Sequence, residues 1–410
     1  MDESSRTLLV RCSGRDRPGI TAGLLGVLAN ADVEVYDMEQ VVVRERLTLD
    51  LLIGLAGDDA VIKELLFHAW EHGVSLDFEV VEDTSTRATK PRSVVTVIGQ
   101  TLPPAALQAV TAAIAVGGGN IDRIVRLSRY PVVSYEFVVV DGDADVMRGA
   151  LVAASATHRI DVSLQRASLE RRAKRLVVLD VDSTLIQDEV IELLAERAGC
   201  AAEVADITTR AMAGELDFEA SLRARVAKLA GTPASVLDEV GDAVRLTPGA
   251  RTFVRTLKRL GYAVAIVSGG FDAVTDRLAA DLGIDHAVAN RLQVVDGVIT
   301  GELVGDIVDR AGKADVLRRI AAAEHIPLEQ VVAVGDGAND LDMLAAAGLG
   351  IAFNAKPIVR EQADTAVSVP YLDAILFMLG IRRDEVEAAD AEDPDFVRDG
   401  LQVVPGTPPV

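Results

Sequence analysis

Three short aliphatic runs, at 176–179, 264–267 and 331–334, each stop at a cluster of small, acidic or hydroxyl residues. A run of this length without polar alternation reads as a strand covered on both faces. Several of them separated by helical stretches build a parallel sheet with helices on either side. In open α/β sheets, ligands bind in the crevice beyond the carboxyl ends of the strands, where these clusters fall. Between the first two runs lies a mostly helical insert, 188–245, and Asp296-Gly297 reads as a two-residue hairpin turn.

Each cluster is weak evidence alone and strong in combination. Asp180-Val-Asp-Ser-Thr184 sets two carboxylates two residues apart just past a buried strand, a pattern that a simple turn with a helix cap also produces. Val267-Ser-Gly-Gly-Phe271 brings a hydroxyl and backbone N–H groups to a helix start, where phosphate oxygens can be held. Lys313 falls in the first turn of a helix expected over 312–324, where the helix dipole gives a cation no advantage, although taken alone a solvated lysine is the better explanation. Gly335-Asp-Gly-Ala-Asn-Asp340 supplies glycines for close backbone approach and two carboxylates four apart. Asp180 and Asp336, at neighbouring strand ends, form the hard oxygen set that Mg2+ takes.

With these motifs in this order, the chain resembles the haloacid dehalogenase superfamily of phosphatases, and within it the phosphoserine phosphatases, over about residues 176–380. The resemblance implies a Rossmann-like fold with a helical cap. It implies that Asp180 is the nucleophile, forming an aspartyl-phosphate, and that Asp182 protonates the departing serine oxygen and then activates water. Mg2+ would be held by Asp180 and Asp336 side chains and the Asp182 carbonyl, and phosphate oxygens by Ser268, Gly269 and Lys313. Asn339 would contact substrate. Asp340 is an outer partner, orienting either Lys313 or a metal-bound water. The reaction implied is hydrolysis of O-phospho-L-serine to L-serine and phosphate, the last step of serine biosynthesis.

Phosphoserine also carries an ammonium and a carboxylate. By the same resemblance Glu189 takes the ammonium and Arg225 grips the carboxylate, with Met212 and Phe218 lining the cap. Arg223 is as ordinary a surface arginine as Arg225, and only the spacing from Phe218 favours the latter.

The N-terminal half shows a βαββαβ order twice, over about 7–82 and 93–165, the split βαβ of ferredoxin-like folds. Both copies look like ACT modules. In the first, Asp16-Arg-Pro-Gly19 resembles their ligand loop, with Asp16 and Gly19 as candidate contacts for L-serine or another amino acid. The second lacks that signature. Serving only to form a homodimer explains the pair about as well. Domains are expected at 1–84, 92–168 and 174–381, with a basic connector at 166–175. The final segment, 382–410, reads as an acidic tail without helical period.

Charge narrows the function. With 41 Lys and Arg against 63 Asp and Glu, the formal charge is -22, a field that repels nucleic acid and anionic membranes. A phosphorylated substrate then needs local cations, which again points to a metal. No leader-like start or membrane-length apolar run is apparent, and Cys12 and Cys200 fit no disulfide framework, so the expectation is a cytoplasmic protein. A phosphatase for another small phosphomonoester and a non-enzymatic amino-acid sensor remain as alternatives. A stored phospho-switch is disfavoured by Asp182, which predicts rapid hydrolysis.

Overall fold

The computed structural model describes residues 6–31, 33–55, 60–81, 90–212 and 215–393, the side chains of Glu170 and Met212 excepted. The polar, small-residue stretch 83–91 between the two βαββαβ copies, which reads as a linker, lies outside these residues apart from Lys90 and Pro91, as do 394–410 of the expected tail. Two compact units divide the chain, Met1–Thr89 and Lys90–Val410.

The first unit runs β1 (Arg6–Arg15), α1 (Ile20–Ala29), β2 (Val33–Val43), β3 (Arg46–Leu55), α2 (Ala60–His72) and β4 (Val74–Val81). Its antiparallel sheet has the order β2-β3-β1-β4. Alternation along β1 buries Leu8, Val10 and Cys12 on one face. Onto that face pack two stripes of residues spaced four apart, Ile20, Leu24, Leu28 of α1 and Val61, Leu65, Ala69 of α2.

The second unit opens with the same order: β5 (Arg92–Gly99), α3 (Pro104–Val116), β6 (Asn120–Ser128), β7 (Val133–Val140), α4 (Ala144–His158) and β8 (Asp161–Arg166), in a sheet ordered β6-β7-β5-β8. Helix α4 starts where Asp143 accepts the N–H groups of Asp145 and Val146 at 2.9 and 3.1 Å. The connector is not a free linker. It forms a turn of helix, α5 (Leu169–Arg172), and buries Arg171 and Lys174.

A seven-stranded sheet follows, ordered β12-β11-β10-β9-β13-β14-β15. Its strands are β9 (Leu176–Leu179), β10 (Ala263–Phe271), β11 (His286–Val295), β12 (Val298–Val304), β13 (Val331–Gly335), β14 (Leu349–Phe353) and β15 (Thr365–Val367). All pairs are parallel except β11 with β12, which are joined at Asp296-Gly297 with φ of 51° and 76°, the mirror-image turn that a tight hairpin requires. Central β9 is fully buried, and its residues alternate between two cores: Val177 and Leu179 in one, Leu176 and Val178 in the other. The chain leaves β9 for β10 on one side and later places β13 on the other. The crevice at the carboxyl end of β9 is therefore a topological switch point.

The cap is built from α6 (Val190–Ala198), α7 (Ala201–Met212), α8 (Phe218–Ala227) and α9 (Ser235–Ala243). Covering the sheet are α10 (Ala250–Arg259), α11 (Asp272–Leu282), α12 (Arg310–Ala323), α13 (Leu341–Ala346), α14 (Pro357–Gln362), α15 (Ile375–Met378) and α16 (Arg383–Ala391). The last of these corrects the reading of 382–410: from Arg383 to Ala391 the chain is helical. Glu385 accepts the Arg382 N–H at 2.9 Å, Val386 is buried, and Asp390 is clasped by Arg255 and Arg259 of α10, partners that local sequence does not reveal.

The second module docks on the phosphatase sheet edge to edge. Ser368 N–H donates to Asp161 Oδ2 at 2.7 Å, Gln165 Nε2 donates to Met378 O at 3.1 Å, and Arg171 Nη2 donates to Glu136 Oε2 at 2.6 Å. Among the described residues, no helix is long and apolar enough to cross a membrane.

Candidate active site

Strand β9 delivers Asp180 to the switch-point crevice, where its N–H donates to Val334 O of neighbouring β13 at 2.9 Å. Lys313, 1% exposed on α12, donates from Nζ to Asp180 Oδ1 at 2.5 Å and to Asp340 Oδ1 at 2.7 Å. Asp340 in turn accepts the Gly337 N–H at 3.0 Å. A Cβ at Gly335 would lie 2.5 Å from the Asp340 Cγ, so glycine is what lets this carboxylate tuck beneath the loop.

One ammonium therefore faces several buried carboxylates. Burial works to lower the Lys313 pKa, but Asp180 and Asp340 overcome it and hold the group charged. Asp180 is pushed well above the usual carboxylate range by burial and by the Asp340 charge, with Lys313 opposing. Burial, with Asp340 adding, raises Asp336 to about 6. Asp180, Asp336 and Asp340 offer oxygens that all lie within 4.8 Å of one another. This donor set is all hard oxygen and carries negative charge beyond what Lys313 neutralises, which fits a divalent cation of the Mg2+ type.

Asp182 faces the cap. Its Oδ1 accepts the N–H of Val190, which opens α6, at 2.8 Å, and its Oδ2 accepts from Ser268 Oγ at 3.0 Å. Burial raises its pKa against both hydrogen bonds. Ser183, in the left-handed region at φ 59°, turns the chain between Asp182 and the cap and donates from Oγ to Glu189 Oε1 at 2.8 Å.

Strand β10 continues through Ser268-Gly-Gly-Phe271, and α11 starts only at Asp272. Instead of standing free at a helix start, the Gly270 N–H is taken by Ser268 Oγ at 2.7 Å. Ser268 is thus a link between strand end and Asp182, while Gly269 lines the cleft. A Cβ on Gly269 would approach the Phe218 ring to 3.2 Å, so cap and core come close here.

The cleft has a volume of about 560 Å3 and brings together Asp180, Asp182, Glu189, Arg225, Gly269, Lys313, Asp336 and Asn339, with Phe218 on its wall. Ser268 and Asp340 stand behind it through the bonds above. Burial first, then the Asp182 charge, raises Glu189 to about 7. Burial lowers the Arg225 pKa against the pull of Glu189 and Glu192. Arg223, in contrast, is exposed and paired with Glu219 on its own helix. The Met212 side chain lies outside the described residues. Asp16 and Gly19 belong to the first compact unit: Asp16 is exposed and donates its N–H to Glu45 O at 2.8 Å, and Gly19 adopts φ 98° before α1.

Sequence reasoning missed two contributors. Lys356 lines the cleft just past β14. The aliphatic run of β14 was signal enough, because a polar residue beyond its carboxyl end falls in the same crevice. Asn290, 2% exposed on β11, donates to Gly269 O at 2.9 Å and accepts the Val308 N–H at 2.8 Å, bracing the end of β10 at the cleft. No local pattern announces that role.

The haloacid dehalogenase-like hydrolase family profile matches residues 177–345, and ACT domain profiles match 6–79 and 92–165. A phosphoserine phosphatase of Streptomyces coelicolor is 55% identical over 98% of both chains. One from Mycobacterium tuberculosis is 48% identical over 94% of this chain and 96% of its own. Among solved structures, an unliganded probable phosphoserine phosphatase of Vibrio cholerae superposes with a TM-score of 0.57 at 37% identity, covering 70% of this chain and 86% of that one. With matches of this extent falling on the strand ends that carry Asp180, Lys313 and Asp336, the chain belongs to the phosphoserine phosphatase family of haloacid dehalogenase-like hydrolases, preceded by two ACT domains.

Proposed function

We propose that the protein hydrolyses O-phospho-L-serine to L-serine and phosphate in two displacements at Asp180. The observation that carries the reading is the pair Asp180 and Asp182 on one loop, the first held against the buried Lys313 ammonium and the second fixed by two hydrogen bonds with its pKa raised. An Asp180 oxygen bonds to phosphorus as the P–O bond to serine breaks. Asp182, protonated at the outset, gives its proton to the departing serine oxygen. Water then attacks the acyl phosphate, its proton passes to Asp182, and phosphate leaves with Asp180 restored.

Asp180 and Asp336 side chains with the Asp182 carbonyl would hold Mg2+, Asp340 orienting Lys313 as its outer partner. Bound there, Mg2+ offsets negative charge so that an anionic nucleophile can meet an anionic phosphate. Lys313 and Gly269 bind the remaining phosphate oxygens, Ser268 stands behind them as the partner that fixes Asp182, and Asn339 closes the site beside them. Glu189 receives the substrate ammonium and Arg225 its carboxylate. Closure of the cap excludes water during the first displacement.

The test is phosphate release from phosphoserine by wild type and Asp180→Asn, with Mg2+ and with EDTA. Release that requires both Mg2+ and Asp180, faster than from phosphothreonine or a sugar phosphate, is the expected outcome. Undiminished turnover by the variant overturns the assignment.

For the ACT pair we favour a homodimer with an amino-acid site at the loop of Asp16 and Gly19. The dimer is supported by β2, an edge strand with Val35, Tyr36, Met38, Val41, Val42 and Val43 all exposed. Light scattering on the full chain and on Val41→Lys tests it, and a monomeric wild type rejects it. A cytoplasmic location agrees with buried, unpaired Cys12 and Cys200.

A further inference from the structure

The basic segment between the second ACT domain and β9 has no part in the hydrolysis. Its residues Arg171, Arg172, Lys174 and Arg175 line a cleft of about 980 Å3, together with Glu136 of β7 and Glu324 beyond α12. Arg175 immediately precedes β9, so this cleft opens at the opposite end of the strand from Asp180.

The charges in the cleft do not balance. Arg171, its side chain 7% exposed, donates from Nη2 to Glu136, but its buried Nε has no partner among the described residues. Lys174 Nζ donates to Glu329 O at 2.5 Å, and Glu324 pairs with His286. Arg172 and Arg175 are exposed and carry no ion pair among the described residues. Lys174 apart, three guanidinium groups face Glu136 as their one carboxylate in the lining not already paired with His286, which leaves two positive charges unmatched in a chain whose formal charge is -22. A buried guanidinium N–H without an acceptor is costly, and guanidinium forks match the oxygens of a phosphate.

We propose that this cleft binds a compact phosphate-type dianion, either inorganic phosphate or the phosphate group of a phosphomonoester, between Arg171, Arg172 and Arg175. A dianion cancels the unmatched charge. It also joins α5, which is tied to the second ACT domain through Glu136, to the residue just before the nucleophile strand. The proposal does not depend on which ester the catalytic site cleaves.

Equilibrium dialysis of radiolabelled orthophosphate against the full-length protein in EDTA tests it, comparing wild type with Arg172→Gln/Arg175→Gln. Both substitutions lie on exposed, unpaired side chains, so fold and turnover of phosphoserine are expected to be unchanged. Wild type should hold one more phosphate per chain than the double variant. Parallel arms with unlabelled orthophosphate and with phosphoserine as competitor separate free phosphate from an ester as the source, and displacement by either supports the site. Equal stoichiometry in the two proteins overturns the proposal. So does an equal loss in Arg318→Gln/Arg319→Gln, a surface control on α12, since binding would then follow overall charge alone.

Discussion

Asp182 Oδ1 accepts the backbone N–H of Val190 at 2.8 Å, so the carboxyl group assigned to proton transfer is also fastened to the first residue of the cap. Proton chemistry and cap position meet at one side chain.

Asp182→Asn retains an oxygen for Val190 but cannot shuttle a proton. Turnover of phosphoserine is expected to fall about 10²- to 10⁴-fold, the usual worth of a positioned acid–base group. Steady-state assays combined with acid quench check this. A variant that turns over at the wild-type rate contradicts the role.

Lys313→Met leaves the buried carboxylates of Asp180 and Asp340 without their ammonium. Removing one partner of a buried pair costs about 3–5 kcal/mol. In EDTA the phosphatase transition in a thermal melt should move down markedly, and activity with Mg2+ should vanish. A melt identical to wild type would show that the buried cation has no structural role.

Glu189, raised to about 7 by burial and by Asp182, is ionised only above that pH. As pH falls through about 7 the carboxylate is neutralised and its attraction for the substrate ammonium is lost, so kcat/KM in saturating Mg2+ should decline on the acid side. Glu189→Gln should remove that limb while lowering the plateau. If the acid limb is the same in both proteins, another group titrates there.

Arg225→Ala should raise KM for phosphoserine about 10- to 100-fold, corresponding to the loss of hydrogen bonds to a charged group worth ~1.5–3 kcal/mol. Arg225→Lys, which lacks the planar fork, should restore only part of it. Arg223→Ala, which removes a pair within α8, should leave KM unchanged. Equal effects at the two positions would reject the choice between them.

Asp390→Ala should free α16 from Arg255 and Arg259 without affecting catalysis. Hydrogen exchange over 383–391 is the readout, and unchanged protection there would show that the clasp of Arg255 and Arg259 does not hold the helix.

Legibility followed the distance over which each signal acts. Asp180, Asp182 and Asp336 stand directly after buried aliphatic strands, so periodicity alone brings them to one crevice, and the repeated βαββαβ order is equally local. Lys313 needed more: its burial depends on two carboxylates far away in sequence, one of them 133 residues distant. Arg225 and Arg223 share a helix and differ only in which side of it meets the cleft. Asn290 and Asp390 were not legible, because the groups that give them meaning belong to other elements. The helix at Arg383–Ala391 was hidden for the same reason: its acidic, weakly apolar sequence reads as solvent-facing until α10 supplies the arginines.

The docking of β8 against β15 brings together the last strand of one sheet and the last strand of another. Each would otherwise present open backbone groups to any passing chain. The second ACT domain is thus a guard rail for the phosphatase as well as a neighbour, and a catalytic fragment cut free at the connector would gain a sticky flank.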